Sequence, residues 1–197
     1  ASTLEGNLKK DVFYSKVKKF DSALDVATFN DEVSKELFYM ILDNANKKYH
    51  KYYIEYLDVL SKIMGKEKLE SYDLRYPVVE ESNSKFTIDE AWNLIFKVTE
   101  CYGDEYREIL EKAKNEHWID YMPHEGKRHG AYSSICYDSI PYILMSFTGD
   151  LDSVFTMIHE LGHSVHTYLS NHAQEYVNSN YRIFVAEVAS TTNEMLL

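Results

Sequence analysis

Residues 159–163 read HELGH, with two histidines four positions apart and a glutamate directly after the first. On an α-helix, side chains four residues apart lie on one face, about 6 Å apart along the axis. Two imidazoles in this arrangement can each give one nitrogen to a single tetrahedral zinc ion. The spacing therefore predicts a helix at this point and makes His159 and His163 candidate zinc ligands.

Glu160 completes the pattern because it projects beside such an ion rather than onto it. That position suits a base that takes a proton from an attacking water. The alternative is an ordinary helix whose solvated face carries these polar residues by coincidence. Apolar neighbours favour a packed helix, on which unpaired polar groups are unfavourable; they are Val154, Phe155, Ile158, Leu161, Val165 and Leu169.

A zinc enzyme needs a third protein ligand, which leaves the fourth position for water. Glu187 is the candidate, since it stands within the apolar run FVAEVA of a second amphipathic helix pattern. A buried carboxylate at such a position requires a cation as partner. The alternative is a surface carboxylate with small neighbours. Glu194 lies seven residues further on the same face and could orient a ligand histidine.

Other side chains near the motif fit less well. His166 shares a face with His163 but lies about 10 Å along the axis from His159, too far for one ion. It is interpreted as a neighbour of the site or cleft lining, or as a solvated residue. His172 and Glu175 fall where the helix should end, so they reach back only through a tight turn. An HExxHxxGxxH site is excluded because Leu169 stands at its third histidine position.

The rest of the chain favours helices, and only 7 Gly and 3 Pro interrupt it. Apolar spacing predicts one helix over 9–24, and a long one from 31 that Asn30 caps and Gly65 ends. Thr87 and Glu90 form a capping box for a helix that ends at Gly103, and another follows over 104–117. The segment YDLRYPVV (72–79) reads as an extended connector.

The pattern changes after residue 117. Residues 126–152 combine Gly, Ser and Tyr with β-branched residues and show no helical period, so they predict one or two short strands with a turn near 138–141. Asp150 or Asp152 then caps the HELGH helix. We therefore divide the chain into a helical part, 1–117, and a part with strands and the candidate zinc helices, 118–197.

Charge and cysteine use narrow the possible partners. The net charge of −11 disfavours nucleic acid and anionic membranes. No apolar run is long enough to cross a membrane. Cys101 and Cys136 lie far apart without a metal or disulfide pattern, which fits either a reducing compartment or two inert buried thiols. We expect a cytoplasmic protein. The chain begins without Met and ends within a helical pattern, so we expect a piece of a longer protein.

The segment from GKRHGAYSS through the HELGH helix to YRIFVAEVASTTNEMLL resembles the oligoendopeptidase F group of the M3 family of zinc oligopeptidases. The resemblance extends over nearly the whole chain and is strongest over 126–197. It implies a mainly helical, zincin-like catalytic core with a short β-ribbon before the HExxH helix. It also implies zinc binding by His159, His163 and Glu187, with Glu160 as the catalytic base.

The same resemblance implies a channel that admits unstructured oligopeptides, lined by the ribbon around 130–132. Family members are longer and carry downstream His and Tyr residues that bind the substrate carbonyl. We therefore expect a zinc metalloendopeptidase of short oligopeptides, with one Zn²⁺ per chain, whose isolated fragment is weakly active or inactive. Two alternatives stay open: a helical interaction domain with an incidental HExxH, and a zinc hydrolase of non-peptide substrates.

Overall fold

The computed structural model describes residues 2–75 and 85–197. It contains two compact units, residues 1–82 and 83–197. The sequence-based boundary at 117/118 marks a different feature, the point where helices give way to strands. All the candidate site residues belong to the second unit.

The described part of the first unit is helical. Its α-helices are joined by short turns, and one π-helical segment lies between two of them. In chain order the elements are α1 (Ser2–Val17), α2 (Ala23–Asn30), α3 (Lys35–Asp43), the π-helical segment (Asn44–Tyr49), α4 (His50–Met64) and a 3-10 turn (Asp73–Arg75).

The prediction of one helix over 9–24 is wrong. Helix α1 ends at Val17, and Lys19 adopts a left-handed backbone conformation with φ of 61°. The Ser22 hydroxyl then accepts a hydrogen bond from the Asp25 backbone amide at 3.2 Å and begins α2. Apolar residues on both sides of this turn keep a helical spacing by coincidence, and no Gly or Pro marks the break.

Asn30 is likewise not the cap that the sequence predicted, because it is the last residue of α2. Glu32 adopts φ of 57°, and the hydroxyl of Ser34 caps α3 by accepting from the Leu37 amide at 3.1 Å. The predicted end at Gly65 is confirmed, since Gly65 caps α4 with φ of 63°. Of the predicted connector, 73–75 form the 3-10 turn and 76–79 lie outside the described residues.

The second unit opens with two helices whose boundaries follow local signals. The predicted capping box is confirmed: the Thr87 hydroxyl accepts from the Glu90 amide, and the Glu90 carboxylate accepts from the Thr87 amide at 2.8 Å. Gly103, with φ of 86°, separates the first helix and its 3-10 extension from the next. The elements are α5 (Ile88–Val98), a 3-10 turn (Thr99–Tyr102) and α6 (Asp104–Asn115).

A three-stranded sheet follows, with β1 (Ile119–Asp120), β2 (Tyr132–Ser134) and β3 (Tyr142–Leu144) in the order β1-β3-β2. Strands β2 and β3 form the predicted ribbon, and they pair antiparallel with Ser133 opposite Ile143. Strand β1 pairs in parallel with β3 and was not predicted, because two residues are too few to show an alternating pattern. Within the described residues, β2 keeps one edge without a strand partner.

Two further helices complete the unit, α7 (Leu151–Ala173) and α8 (Ile183–Glu194), with a 3-10 turn (Tyr176–Asn178) between them. Helix α7 runs through the centre, and its apolar face packs into one core with α5, α6 and the sheet. That face consists of Val154, Met157, Ile158, Leu161 and Val165, each at most 1% exposed. The prediction of a mainly helical fold with a short ribbon before the HELGH helix is confirmed. Among the described helices, none is both long and apolar enough to cross a membrane.

Candidate metal centre

Helix α7 begins at a charged cap. The Asp150 carboxylate accepts hydrogen bonds from the Ser153 amide at 2.8 Å and from the Ser153 hydroxyl at 2.6 Å. The bonds from Ser153, together with one from Thr148, lower the pKa of Asp150 to about 2. An ionised cap also interacts favourably with the partial positive charge at the helix start. Of the two caps that the sequence allowed, the structure uses Asp150.

The two histidines of α7 converge as their spacing predicts. The Nε2 atoms of His159 and His163 lie 3.1 Å apart, and the rings meet edge to face with centroids 4.8 Å apart. Their side chains are 24% and 17% exposed, so both rings are largely covered yet open on one side. The apolar face of α7 fixes this orientation, because burying it turns the polar face away from the core.

Helix α8 contributes the third group. The Oε2 atom of Glu187 lies 3.6 Å from His159 Nε2 and 3.7 Å from His163 Nε2. The hydroxyl of Ser190, one turn later, donates to this same carboxylate oxygen at 2.9 Å and limits its rotation. The carboxylate is 45% exposed, so Glu187 is half-buried and not buried as the sequence suggested. It is nevertheless aimed at the histidine pair.

These separations can be compared with what one ion requires. A tetrahedral zinc ion with ligand bonds of 2.0–2.2 Å separates its ligand atoms by about 3.3–3.6 Å. The three atoms here are separated by 3.1, 3.6 and 3.7 Å. Within the described residues, this is the single group of at least three His, Cys, Asp or Glu side chains with such convergence. The donor set of two imidazoles and one carboxylate thus fits zinc in both chemistry and spacing.

The ring orientation of His159 is fixed from its other side. Its Nδ1 is paired with the carboxylate of Glu194, which can only accept a hydrogen bond, so Nδ1 is the donor of this pair. Burial lowers the pKa of His163, and the neighbouring His159 lowers it further. Both effects favour the neutral ring that a metal needs. Glu194 thus lies where the sequence placed a partner for a ligand histidine.

Glu160 is the most deeply buried carboxylate at the centre, with 6% exposure. Burial raises its pKa, while the neighbouring His159 and a hydrogen bond with the Ser133 backbone act in the opposite direction. A carboxylate with a raised pKa holds a proton more readily than one in water, which suits a group that accepts and returns a proton. Glu160 itself does not belong to the converging donor group.

Space for another molecule lies directly in front of this carboxylate. A cavity of about 460 Å³ is bordered by Glu160, His159 and Glu194 on one side and by Gly130 and Ala131 on the other. Residues 130–131 lead into β2, whose Ser133 hydroxyl lies 2.8 Å from the Ser164 hydroxyl of α7. Strand β2 is therefore held alongside the helix that carries the histidines.

The remaining candidates lie elsewhere. The His166 ring stacks on Tyr181 with centroids 3.9 Å apart, and its buried Nδ1 has no hydrogen-bond partner. His172 Nδ1 pairs with the Tyr168 carbonyl oxygen at 2.7 Å. None of His166, His172 and Glu175 joins the donor group. Glu175 directly precedes the 3-10 turn between α7 and α8.

The two tyrosines of the ribbon segment differ in how they are held. Tyr132 is 56% exposed on β2. The Tyr137 hydroxyl donates to the Gln174 carbonyl at 2.6 Å, which ties the segment after β2 to the end of α7.

Three residues of the α7–α8 contact carried no prediction from the sequence: Gly162, Ser190 and Asn193. Ser190 and Asn193 are at most 2% exposed. The sequence did contain a signal for Ser190 and Asn193, which lie three and six residues after Glu187. Polar residues repeated at helical spacing can mark a buried contact.

Comparison with known proteins identifies relatives of this arrangement. The family model described as Peptidase family M3 matches residues 1–197. The chain is 41% identical to oligopeptidase PepF of Bacillus subtilis (strain 168) over 197 residues, covering 100% of this chain and 29% of that protein. It is 33% identical to the chromosomal oligoendopeptidase F of Lactococcus lactis subsp. cremoris, covering 100% and 32%.

A solved structure agrees with these relatives. The crystal structure of a predicted peptidase from Chlamydophila abortus superposes with a TM-score of 0.79 at 36% identity, over 98% of this chain and 32% of that one. The chain thus spans about a third of the length of the proteins it matches. The resemblance to oligoendopeptidase F is confirmed, and the chain belongs to Peptidase family M3.

Proposed function

We propose that the protein containing this chain is a zinc metalloendopeptidase that hydrolyses short, unstructured oligopeptides. The observation that carries the proposal is the convergence of His159, His163 and Glu187 at the spacing of zinc ligands, with the buried Glu160 carboxylate beside them. The oligopeptidase names of its relatives support peptides as the substrate class.

In this proposal His159, His163 and Glu187 hold the ion, and Glu194 keeps His159 in the binding tautomer. When bound, zinc supplies a Lewis acid that polarises a carbonyl and makes a water more acidic. Glu160 accepts the proton of the water as its oxygen attacks the scissile carbonyl carbon. The same carboxyl group then gives the proton to the amine that leaves as the C–N bond breaks.

The edge of β2 that has no strand partner among the described residues offers a way to hold the peptide. An extended substrate can add to such an edge through main-chain hydrogen bonds, which do not depend on the side chains of the substrate. Residues 130–131 border the cavity in front of Glu160, so a peptide laid along the segment that leads into β2 passes that carboxylate. Strand addition requires an extended chain, which fits an unstructured oligopeptide.

The test uses the full-length protein and a quenched fluorogenic oligopeptide. We expect cleavage that a chelator abolishes and that zinc restores, and no cleavage of a folded protein of similar composition. The resemblance places carbonyl-binding His and Tyr residues outside this chain, so we expect the isolated 197-residue chain to be weakly active or inactive.

Two outcomes would replace the proposal. A zinc-loaded protein that leaves peptides intact but cleaves other amides or esters would be a hydrolase of non-peptide substrates. A protein that binds no stoichiometric zinc in equilibrium dialysis would be an interaction domain with an incidental HExxH.

The two cysteines bear on location. Cys101 and Cys136 are both unpaired and exposed. Because exposed thiols persist in reducing compartments, we infer a cytoplasmic location. Fractionation of the native host checks it, and recovery in a secreted fraction would contradict it.

A further inference from the structure

The helices that carry the three donors touch backbone to backbone at one point. Gly162 lies on α7 between the two histidines, and a Cβ atom there would lie 2.8 Å from Ser190 Cα and 3.0 Å from the Ala189 carbonyl oxygen. Glycine within a helix is unfavourable relative to alanine, so this position needs a reason. The reason is that only a residue without Cβ lets α8 approach α7 this closely.

Asn193 of α8 enters the contact beside Gly162 and is 2% exposed. Its Nδ2 donates to the carbonyl oxygen of Ile158 at 3.2 Å and to the Tyr106 hydroxyl of α6 at 2.7 Å. Burial raises the pKa of Tyr106 to about 12, so the phenol stays neutral. One amide therefore joins three helices.

The Asn193 amide lies next to residues of the proposed zinc site. Ile158 directly precedes the ligand histidine His159, and Asn193 directly precedes Glu194, the partner of that histidine. Glu187 stands on the same helix, six residues before Asn193. A sliding or rotating α8 would therefore move Glu187 and Glu194 together relative to the histidine pair.

We propose that Asn193, seated over Gly162, is a positioning residue that sets the zinc affinity of the site by fixing α8 against α7. It does not contact the ion, and the inference rests on the proposed zinc site. Ligand distances must hold within about 0.2 Å, so a small displacement of α8 weakens the Glu187 contact. Residues that orient metal ligands typically change metal affinity 10- to 100-fold when they are replaced.

The test measures the zinc dissociation constant by competition with a chromophoric chelator, in the full-length protein and three variants. Asn193→Leu keeps the branching of the side chain and removes both hydrogen bonds, and we expect a 10- to 100-fold rise in the dissociation constant. Tyr106→Phe removes one bond, and we expect a rise of about 3- to 10-fold. Thr192→Ala is the control, because its exposed hydroxyl bonds only to the Val188 carbonyl of its own helix, and we expect no change.

A double-mutant cycle separates positioning from general stabilisation. If Asn193 acts by placing Glu187, then Asn193→Leu should change affinity far less in a Glu187→Ala background than in the wild-type protein. The unfolding temperature of each zinc-free variant is recorded alongside. If Asn193→Leu proves unfolded, the same double-mutant cycle is measured with Tyr106→Phe in its place.

The outcomes are distinct. Unchanged zinc affinity in Asn193→Leu with a lower unfolding temperature would overturn the inference and leave a structural role. Equal losses of affinity with and without Glu187 would overturn it as well. A wild-type protein that binds no zinc would overturn the proposed function, and this inference with it.

Discussion

His163 and His172 lie on the same helix, but only His163 points its ring into the donor group. We predict that His163→Ala abolishes stoichiometric zinc after dialysis, because the site loses one of its two imidazole donors. His172→Ala should retain one zinc per chain. Metal analysis of the dialysed proteins measures both, and full occupancy in His163→Ala would remove this histidine from the site.

The third ligand allows a similar comparison between two glutamates. Glu187→Ala should raise the zinc dissociation constant by more than about 100-fold, a larger effect than is typical for a residue that only orients a ligand. Glu175→Ala should change it little, since Glu175 lies outside the donor group. Chelator competition ranks them, and a larger loss in Glu175→Ala would place the third ligand in the turn after α7.

Replacement of Glu160 should separate zinc binding from peptide hydrolysis. Glu160→Gln keeps the shape of the side chain but cannot accept a proton, so we expect retained zinc and a loss of about 10²–10⁴-fold in hydrolysis by the full-length enzyme. The base must be ionised, and burial raises its pKa above the ordinary 4.5. Activity at saturating zinc should therefore fall as acid protonates this carboxylate. Equal loss of zinc and of activity would make Glu160 a ligand instead.

At the scale of single elements, the start of α7 depends on the charge of Asp150. Asp150→Ala should lower the free energy of unfolding by about 1 kcal/mol, as is typical of a lost N-cap. The pKa of Asp150 is depressed from 3.8 to about 2 in the folded protein, so its stabilisation is complete above pH 3.8 and is lost as the pH falls towards 2. Asp150→Asn should keep the cap and lose this pH dependence.

Denaturant unfolding between pH 2 and 6 measures this effect. Asp152→Asn is the matched control, because Asp152 lies in the same first turn without capping it. An identical acid dependence in wild type and Asp150→Asn would contradict the assignment.

Local signals explain which elements the sequence could predict. The Thr87–Glu90 box and the left-handed Gly65 depend on a few adjacent residues, and both were predicted. The break after Val17 was not predicted, because the left-handed Lys19 and the helix cap Ser22 produce it without a Gly or Pro. The HELGH spacing indicated His159 and His163 for the same local reason. The roles of Gly162 and Asn193 depend on how two helices pack, which a single helix pattern does not contain.

At the scale of the whole molecule, zinc should stabilise the folded chain by mass action, since the unfolded chain has no preformed site. Free zinc at about 100 times its dissociation constant should add about 2.7 kcal/mol to the free energy of unfolding. Calorimetry should show a higher unfolding temperature with zinc, reversed by a chelator and absent in His163→Ala. An equal shift in that variant would indicate binding elsewhere on the chain.

The three proposed zinc donors come from two helices, α7 and α8. This arrangement should also affect how fast a bound ion exchanges with the solution. The histidines of α7 supply two donors and Glu187 of α8 supplies the third, so loss of a bound ion involves movement of α8 or of the Glu187 carboxylate. Removal by a strong chelator should then reach a rate that no longer increases with chelator concentration. That plateau equals the rate of this movement, so metal release measures the motion of α8 or of the Glu187 carboxylate.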